Sequence, residues 1–545
     1  MDFHSYAIST EKKLDLYEQL LLPRLIEEKM LILLRQGRIS KWFSGYGQEA
    51  ISVGCAAAMQ PDEFLCTMHR NLGVFTTRGI PLDRLFKQFQ GKKGGFTNGR
   101  DRSFHFGSPE HHIAGMISHL GPQLGVADGI ALSHKVRKEE KAVLVFSGDG
   151  GASEGDFHEA LNTAAVWQLP VLFVVENNQW GLSTPSSEQF RCKQFIDKGI
   201  GYGMRTAQVD GNNILEVYAT VQNLAEEIRS RPEPVLIECL TFRMRGHEEA
   251  SGTKYYPEGL QEKWATKDPV ETYEAHLLSE GLIDTEKIEQ IRSKLKQEIQ
   301  TALEAADAEE RPEFHLEKER TDLFAASETI PQAPEGSKRE MRLLDAISEA
   351  LDQSMEAHPE LILMGQDIGA YGGVFKATEG LQERYGPERV RNTPLCESAI
   401  IGAGLGLSMK GMKAMVEMQF ADFVSEGMTQ ICNNLAKIHY RWGQRADVVI
   451  RMPTGAGVAA GPFHSQSNEA WFTHTPGLKV VYPAFPEDAK GLLNAALDDP
   501  NPVLFFEHKA LYRAVRGDVA PNRFHTPIGK ARLLRSGSQF TIITY

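Results

Sequence analysis

The residues best suited to chemistry lie in one stretch, GDGGASEGDFHEALNTAAVWQLPVLFVVENNQWGLST, which begins at Gly148. The run before it, AVLVFS (142–147), is short, apolar and β-branched, as a buried strand requires, and it stops at Gly148-Asp149-Gly150. Glycines at a strand end let the backbone come close to a phosphate group. A second such run, PVLFVVE (170–176), ends at Asn177-Asn178, and EGDFHEALNTAAVWQ between the two reads as a helix. Strand, helix, strand in that order predicts a parallel pair whose tips share one edge, where open α/β sheets bind ligands. Asp149 and Asn178 are then expected to meet there. A carboxylate, an amide oxygen and a backbone carbonyl are hard ligands. With two oxygens of a diphosphate they fill most of a magnesium octahedron. Alone, GDG is a common turn and NN says nothing. The two separated by the 26 residues 151–176, on consecutive strand tips, form a specific pattern.

The surrounding elements are legible in outline. PVLIECLTF (234–242) predicts a third strand of the same sheet. From Asp284 the chain is charged, and Ile288, Ile291, Leu295, Ile299 and Leu303 recur at helical spacing, predicting one apolar stripe with a solvated back. ASETIPQAPEGSK (326–338), with two prolines, a glycine and small polar residues, reads as an exposed linker; an ordinary long loop is the alternative. A second α/β pattern starts near Arg339. Its expected strands are LILMG (361–365), KAMVEMQ (413–419), ADVVIRM (446–452), LKVVYP (478–483) and VLFFEH (503–508). The expected fold class is therefore α/β. Two parallel-sheet domains flanked by helices, 1–325 and 339–530, are joined by the linker 326–338. SQFTIITY resembles a strand just begun, so 531–545 is expected to be the first strand of an incomplete third α/β domain.

Bulk properties narrow the function. A chain of 545 residues is too long for one core, and its 41% hydrophobic and 24% charged residues are ordinary for globular domains. The net charge of -13, with no basic cluster, argues against nucleic acid as a partner. No apolar run is long enough to span a bilayer, so no membrane association is expected. The N-terminus lacks a basic stretch followed by an apolar core, and the six scattered cysteines form no CxxC pair. No secretory signal, disulfide framework or zinc site is expected from these features, and a cytoplasmic location fits them.

The GDG…NN spacing resembles the thiamine-diphosphate motif. The segments RQGRIS (35–40), YGQEAISVGCAAAM (46–59), HRNLGVFTTRG (69–79) and FRMRGHEEASGTKYY (242–256) are similar to the α subunit of the branched-chain 2-oxo acid dehydrogenases, over nearly all of the first 280 residues. From about Arg339, TPLCESAIIGAGLGLSMKG, EMQFADF, GPFHSQSNEAWFTHTPGLKVVYP and NPVLFFEHKALYR resemble the β subunit. The resemblance implies two thiamine-diphosphate-binding-fold domains fused in one chain, with thiamine diphosphate and Mg2+ as cofactors. Asp149 and Asn178 would bind the metal by side chain and Trp180 by its carbonyl. Gly150 and Gly151 would lie against the diphosphate. His69 and Arg70 fall where the family has a Tyr-Arg pair beside it; read alone, Arg70 is an ordinary ion-pair residue. Ser118 and Leu120 fall where backbone holds the aminopyrimidine, and Gln419 and Phe423 where side chains line the pocket. Phe423 replaces a tyrosine of the branched-chain enzymes.

Three residues are implied as catalytic. Glu397 would hydrogen-bond a pyrimidine ring nitrogen, although a carboxylate at a helix start is also favoured by the dipole. His464 would manage protons during acyl transfer to lipoamide; a structural histidine is its alternative. His247 would reach the cofactor from a loop, where histidines are usually just solvated. Glu248 stands where kinase-regulated relatives carry serine, so that switch is expected to be absent at this position. The implied reaction is oxidative decarboxylation of a 2-oxo acid, of the 3-methyl-2-oxobutanoate type, with acyl transfer to a lipoyl-bearing acyltransferase core. Pyruvate or acetoin as substrate, a non-catalytic scaffold and a transketolase-like transferase are the alternatives. A homodimer equivalent to α₂β₂ is the implied assembly.

Overall fold

The computed structural model describes residues 1–545. They divide into two compact units, Met1–His315 and Leu316–Tyr545. The first holds β1 (Leu65–Cys66), β2 (Ile113–Ala114), β3 (Val143–Gly148) and β4 (Val171–Asn177). A small antiparallel hairpin follows, β5 (Trp180–Gly181) and β6 (Thr184–Pro185), and then β7 (Arg205–Asp210) and β8 (Val235–Leu240). Six of these strands make one sheet in the order β2–β1–β3–β4–β8–β7. Every pairing in it is parallel. All seven residues of β4 are buried, as expected for a central strand covered on both faces.

The second unit begins its strands with β9 (Arg339–Arg342), β10 (Leu361–Gly365), β11 (Val390–Asn392) and β12 (Lys413–Glu417). They continue with β13 (Val448–Thr454), β14 (Lys479–Val481), β15 (Val503–His508) and β16 (Arg516–Val519). Its sheet runs β11–β10–β12–β13–β15–β14, again all parallel, and β9 pairs antiparallel with β16 beside it. The architecture is thus α/β, with two parallel six-stranded sheets. Counted within each sheet, both have their strands in the order second, first, third, fourth, sixth, fifth. In each, the chain therefore leaves the first and third strands in opposite directions. That switch opens a crevice at their carboxyl ends, the place where such sheets take ligands.

The striped helix spans Thr285–Ala308 and buries Ile288, Ile291, Leu295, Ile299 and Leu303. Asp284 caps it by accepting from Lys287 N at 2.7 Å. The 326–338 segment has no regular structure, yet it is not a free tether. Asn501 holds both backbone groups of Ala325, Thr329 Oγ1 donates to Asp498 O at 3.1 Å, and Gln332 exchanges two bonds with His525. The strand expected within 531–545 does not form. Extended backbone becomes a strand only when a neighbour pairs with it, and none does here. No helix is long and apolar enough to cross a membrane, and all six cysteines are free thiols.

Candidate functional site

In the first unit, the parallel register pairs Gly148 with Glu176 across β3 and β4. Asp149 lies one residue beyond that pair and Asn178 two, so both sit at the same sheet edge. Asp149 is 2% exposed and Asn178 5%. The hairpin that follows Asn178 curls back to Asp149. Ser186 N donates to Gln179 O at 3.0 Å, and Ser186 Oγ donates to Asp149 Oδ2 at 2.9 Å. Burial raises the Asp149 carboxyl above its usual range, and the Ser186 bond works against that shift. Asn178 is oriented from both sides: its Oδ1 accepts from Trp180 N at 3.1 Å and its Nδ2 donates to Gln48 Oε1 at 3.3 Å.

Gly150 and Gly151 form a cradle that side chains would fill. A Cβ on Gly150 would stand 3.1 Å from Gly181 Cα, and one on Gly151 would stand 2.9 Å from Ser147 Oγ and 3.6 Å from Leu120 Cβ. Leu120 thus reaches the cradle. Ser118 occupies an exposed position in the loop before the helix Pro122–Arg137, and no contact ties it to the other site residues.

A buried basic cluster adjoins this edge. Arg70, 6% exposed, donates to Ser44 O at 3.1 Å and to His247 O at 2.7 Å. Its Nη2 also lies 3.0 Å from His247 Nδ1. A guanidinium can only donate, so Nδ1 accepts and the His247 proton resides on Nε2. Burial, then Arg70 and Arg243, push His247 down to about 4, leaving the ring neutral near pH 7. His69 is held neutral by burial above all, its ring 5.0 Å from Phe43 and 5.8 Å from His247. The His69 Nε2 is enclosed and has no hydrogen-bond partner.

Sequence reasoning did not single out Arg243, which is 1% exposed. It donates to Leu182 O at 2.8 Å, Tyr255 Oη at 2.9 Å, Tyr256 Oη at 3.2 Å and Trp180 O at 3.4 Å. Leu182 sits at φ +62°, a conformation that bulky L-residues rarely adopt, so Arg243 pins a strained hairpin. Neither Arg70 nor Arg243 has a carboxylate within ion-pair distance. Burial with Arg243 nearby pushes Arg70 down to about 9. Two buried cations without an acid partner call for an anion. Glu176 was also missed. It accepts from Asn71 Nδ2 at 2.5 Å and Gln48 Nε2 at 2.6 Å, and burial raises it to about 7. The available signal was a lone acid closing an otherwise apolar run.

The second unit carries its own cluster at the β10–β12 switch. Glu397 is the first residue of the helix Glu397–Met409. Its Oε1 accepts from Gln366 Nε2, just beyond β10, at 3.0 Å. Asp367 follows at φ +61°, a region aspartate tolerates, and its Oδ2 accepts from Gln419 Nε2 at 2.6 Å. Phe420 follows Gln419, and the His464 ring stands edge-on to Phe420 at 4.7 Å and to Phe423 at 5.5 Å. Glu397, Gln419, Phe423 and His464 are therefore linked in one cluster, through Gln366, Asp367 and Phe420, which sequence reasoning had not named.

Comparison with known proteins agrees with this division. Residues 17–315 match the family described as "Dehydrogenase E1 component", and residues 339–515 match "Transketolase, pyrimidine binding domain". The chain is similar to the 2-oxoisovalerate dehydrogenase subunit beta of Bacillus subtilis (strain 168), 50% identical over 209 residues, which are 38% of this chain and 63% of that protein. It is also similar to the mitochondrial 2-oxoisovalerate dehydrogenase subunit alpha 2 of Arabidopsis thaliana, 33% identical over 356 residues, 65% of this chain and 72% of that one. The pyruvate dehydrogenase E1 component subunit beta of Acholeplasma laidlawii is 43% identical over 205 residues, 37% of this chain and 63% of that protein. The chain thus spans less than two thirds of the length of the beta subunits it matches. The first match covers more than half of the chain, and a pyrimidine binding domain follows it in the same polypeptide: the chain belongs to the dehydrogenase E1 component family.

Proposed function

We propose that the chain catalyses oxidative decarboxylation of a branched-chain 2-oxo acid of the 3-methyl-2-oxobutanoate type. The observation that carries this reading is a pair of buried arginines, Arg70 and Arg243, without acid partners beside a strand-tip carboxylate and amide. That set suits a diphosphate chelating a divalent ion. The residues fit thiamine diphosphate and Mg2+. The Gly150–Gly151 cradle leaves no room for side chains, His69 Nε2 lacks a partner, and Asp149 and Asn178 supply hard oxygens. Asp149, Asn178 and the Trp180 carbonyl would hold the ion. Arg70, His69 and the backbone at Gly150 and Gly151 would hold the diphosphate. Ser118, Leu120, Gln419 and Phe423 would border the rest of the cofactor. When bound, the cofactor supplies a carbon nucleophile and an electron sink for loss of carbon dioxide.

This chain's own residues govern protons and position. Glu397, fixed by Gln366, would present a carboxyl to a ring nitrogen. His247, neutral with its proton on Nε2, would donate from the loop. His464, wedged against Phe420 and Phe423, would move a proton as the acyl group leaves. In the overall change the carboxylate departs as carbon dioxide. The acyl carbon is oxidised, and the lipoyl disulfide of a partner acyltransferase core is reduced to one thiol and one acyl thioester. In this reading residues 1–325 bind the diphosphate and ion, and residues 339–530 bind the pyrimidine. Two chains form a homodimer equivalent to α₂β₂. A cytoplasmic setting suits six free thiols.

The test is decarboxylation with an artificial electron acceptor across a panel of 2-oxo acids, with thiamine diphosphate and Mg2+ supplied. Turnover highest on 3-methyl-2-oxobutanoate supports the reading. No turnover on any 2-oxo acid, with cofactor shown bound, would favour a scaffold. Preference for pyruvate is the second reading. It is favoured by the similarity to a pyruvate dehydrogenase subunit. Mixing Glu397→Ala and Asp149→Ala chains tests the assembly: activity regained in the mixed dimer supports sites shared between chains.

A further inference from the structure

The helix Pro269–Ser279 ends with His276 and the capping residue Glu280 one turn apart on the same face. Above them lies the N-terminal segment, which is firmly placed. Phe3 is 5% exposed and stacks on His276 at 4.8 Å, and Asn213 Nδ2 donates to Asp2 O at 2.7 Å. This brings the His4 ring to 5.2 Å from that of His276 and His4 Nδ1 to 3.9 Å from Glu280 Oε1. One ligand atom from each of His4, His276 and Glu280 lies within 4.8 Å of the others. His276 is 7% exposed, and its Nε2 is enclosed without a hydrogen-bond partner. A buried polar group with no partner needs an explanation, and an ion beside it is one.

We propose that His4, His276 and Glu280 form a binding site for a borderline divalent transition metal, represented by Zn2+, that staples the N-terminal segment to the Pro269–Ser279 helix. Two imidazoles and a carboxylate are a zinc-type donor set, with a fourth position left for water. The nitrogen donors disfavour Mg2+, which takes oxygen. His276 is already fixed by Phe3. His4 and Glu280 are exposed, so their side chains can close the remaining distance to zinc bond lengths by rotation alone. Lys13 and His4 both face His276 with positive or titratable charge, and Glu280 opposes them. The site is far in sequence from the strand-tip residues and does not depend on the function proposed for them.

The experiment uses the full chain stripped with chelator, titrated with Zn2+ alone by calorimetry while Mg2+ in excess blocks oxygen sites. The expected result is one saturable Zn2+ per chain, with affinity falling by about tenfold or more in His4→Ala and again in Glu280→Gln. Both residues are exposed, so neither variant threatens folding. Bound Zn2+ should also slow proteolytic cleavage within residues 1–9 in the wild type and not in the double variant. No saturable binding, or equal binding by the His4→Ala/Glu280→Gln chain, overturns the proposal.

Discussion

Gln48 donates from Nε2 to Glu176 Oε2 at 2.6 Å, and the same amide accepts from Asn178 at 3.3 Å. While ionised, Glu176 accepts there, and this fixes which end of Gln48 faces Asn178. That in turn commits Asn178 Nδ2 to Gln48 and leaves Oδ1 on the side of Trp180.

Glu176→Gln should therefore weaken the ion site without removing a proposed ligand. The carboxylate accepts from Gln48 on one oxygen and from Asn71 on the other, whereas a glutamine presents one acceptor only. The expected loss in Mg2+ affinity is about tenfold. It is read as the Mg2+ concentration that half-saturates diphosphate-dependent thermal protection. An unchanged midpoint would show that Gln48 does not orient Asn178.

Arg243→Met should release the hairpin. Five neutral acceptors lose a buried charged donor, and Leu182 loses the bond that holds its left-handed backbone. A stability loss of about 2–3 kcal/mol is expected. Inorganic pyrophosphate binding should fall with it. If stability falls while pyrophosphate affinity is unchanged, Arg243 is a clamp on the hairpin and contributes nothing to the anion.

The sequence displayed the strands that matter and hid the groups that tune them. Strands β3, β4, β8, β10, β12, β13, β14 and β15 stood out because each is an apolar run bounded by turn residues. The two-residue β1 and β2 carry no period at all, and β7 is half-exposed, so neither pattern nor composition marks them. Asp149 and Asn178 were legible because both follow conspicuous strands. Arg243 and Gln366 were not, since their importance comes from partners distant in sequence, Leu182 and Glu397. The strand read into 531–545 failed for a related reason: residue type favours extension, but pairing decides it.

Asp128 gives a pH test. It is completely buried in the helix Pro122–Arg137, and neither carboxyl oxygen has a partner. Burial raises its pKa well above the usual 3.8. The folded state thus favours the neutral acid. That contribution is full below about pH 4 and is lost as pH rises toward the folded value, at up to about 1.4 kcal/mol per pH unit. Asp128→Asn removes the titration. Its melting temperature should decline less than that of wild type between pH 5 and pH 8. Parallel declines would mean the carboxyl is solvated or paired in solution.

The second unit rests on a buried charge triad on three adjacent strands of its sheet. Arg451 on β13 is 1% exposed and bonds Glu507 on β15 at 2.5 and 2.8 Å and Glu417 on β12 at 2.5 Å. Tyr512 Oη adds a bond to Glu507 at 2.6 Å. Burial above all, with the Glu507 charge, raises Glu417, and Arg451 opposes that shift. Arg451→Met would leave two carboxylates facing each other in a dry interior, at a cost of about 3–5 kcal/mol. The triple change Arg451→Met, Glu417→Gln, Glu507→Gln removes every charge and should recover much of that loss, because the cost lies in stranded charge rather than in a missing attraction. Denaturant unfolding of the single and triple variants separates the two. A triple variant no more stable than Arg451→Met would mean that the ion pairs themselves, and not the avoidance of unpaired charge, hold these three strands together.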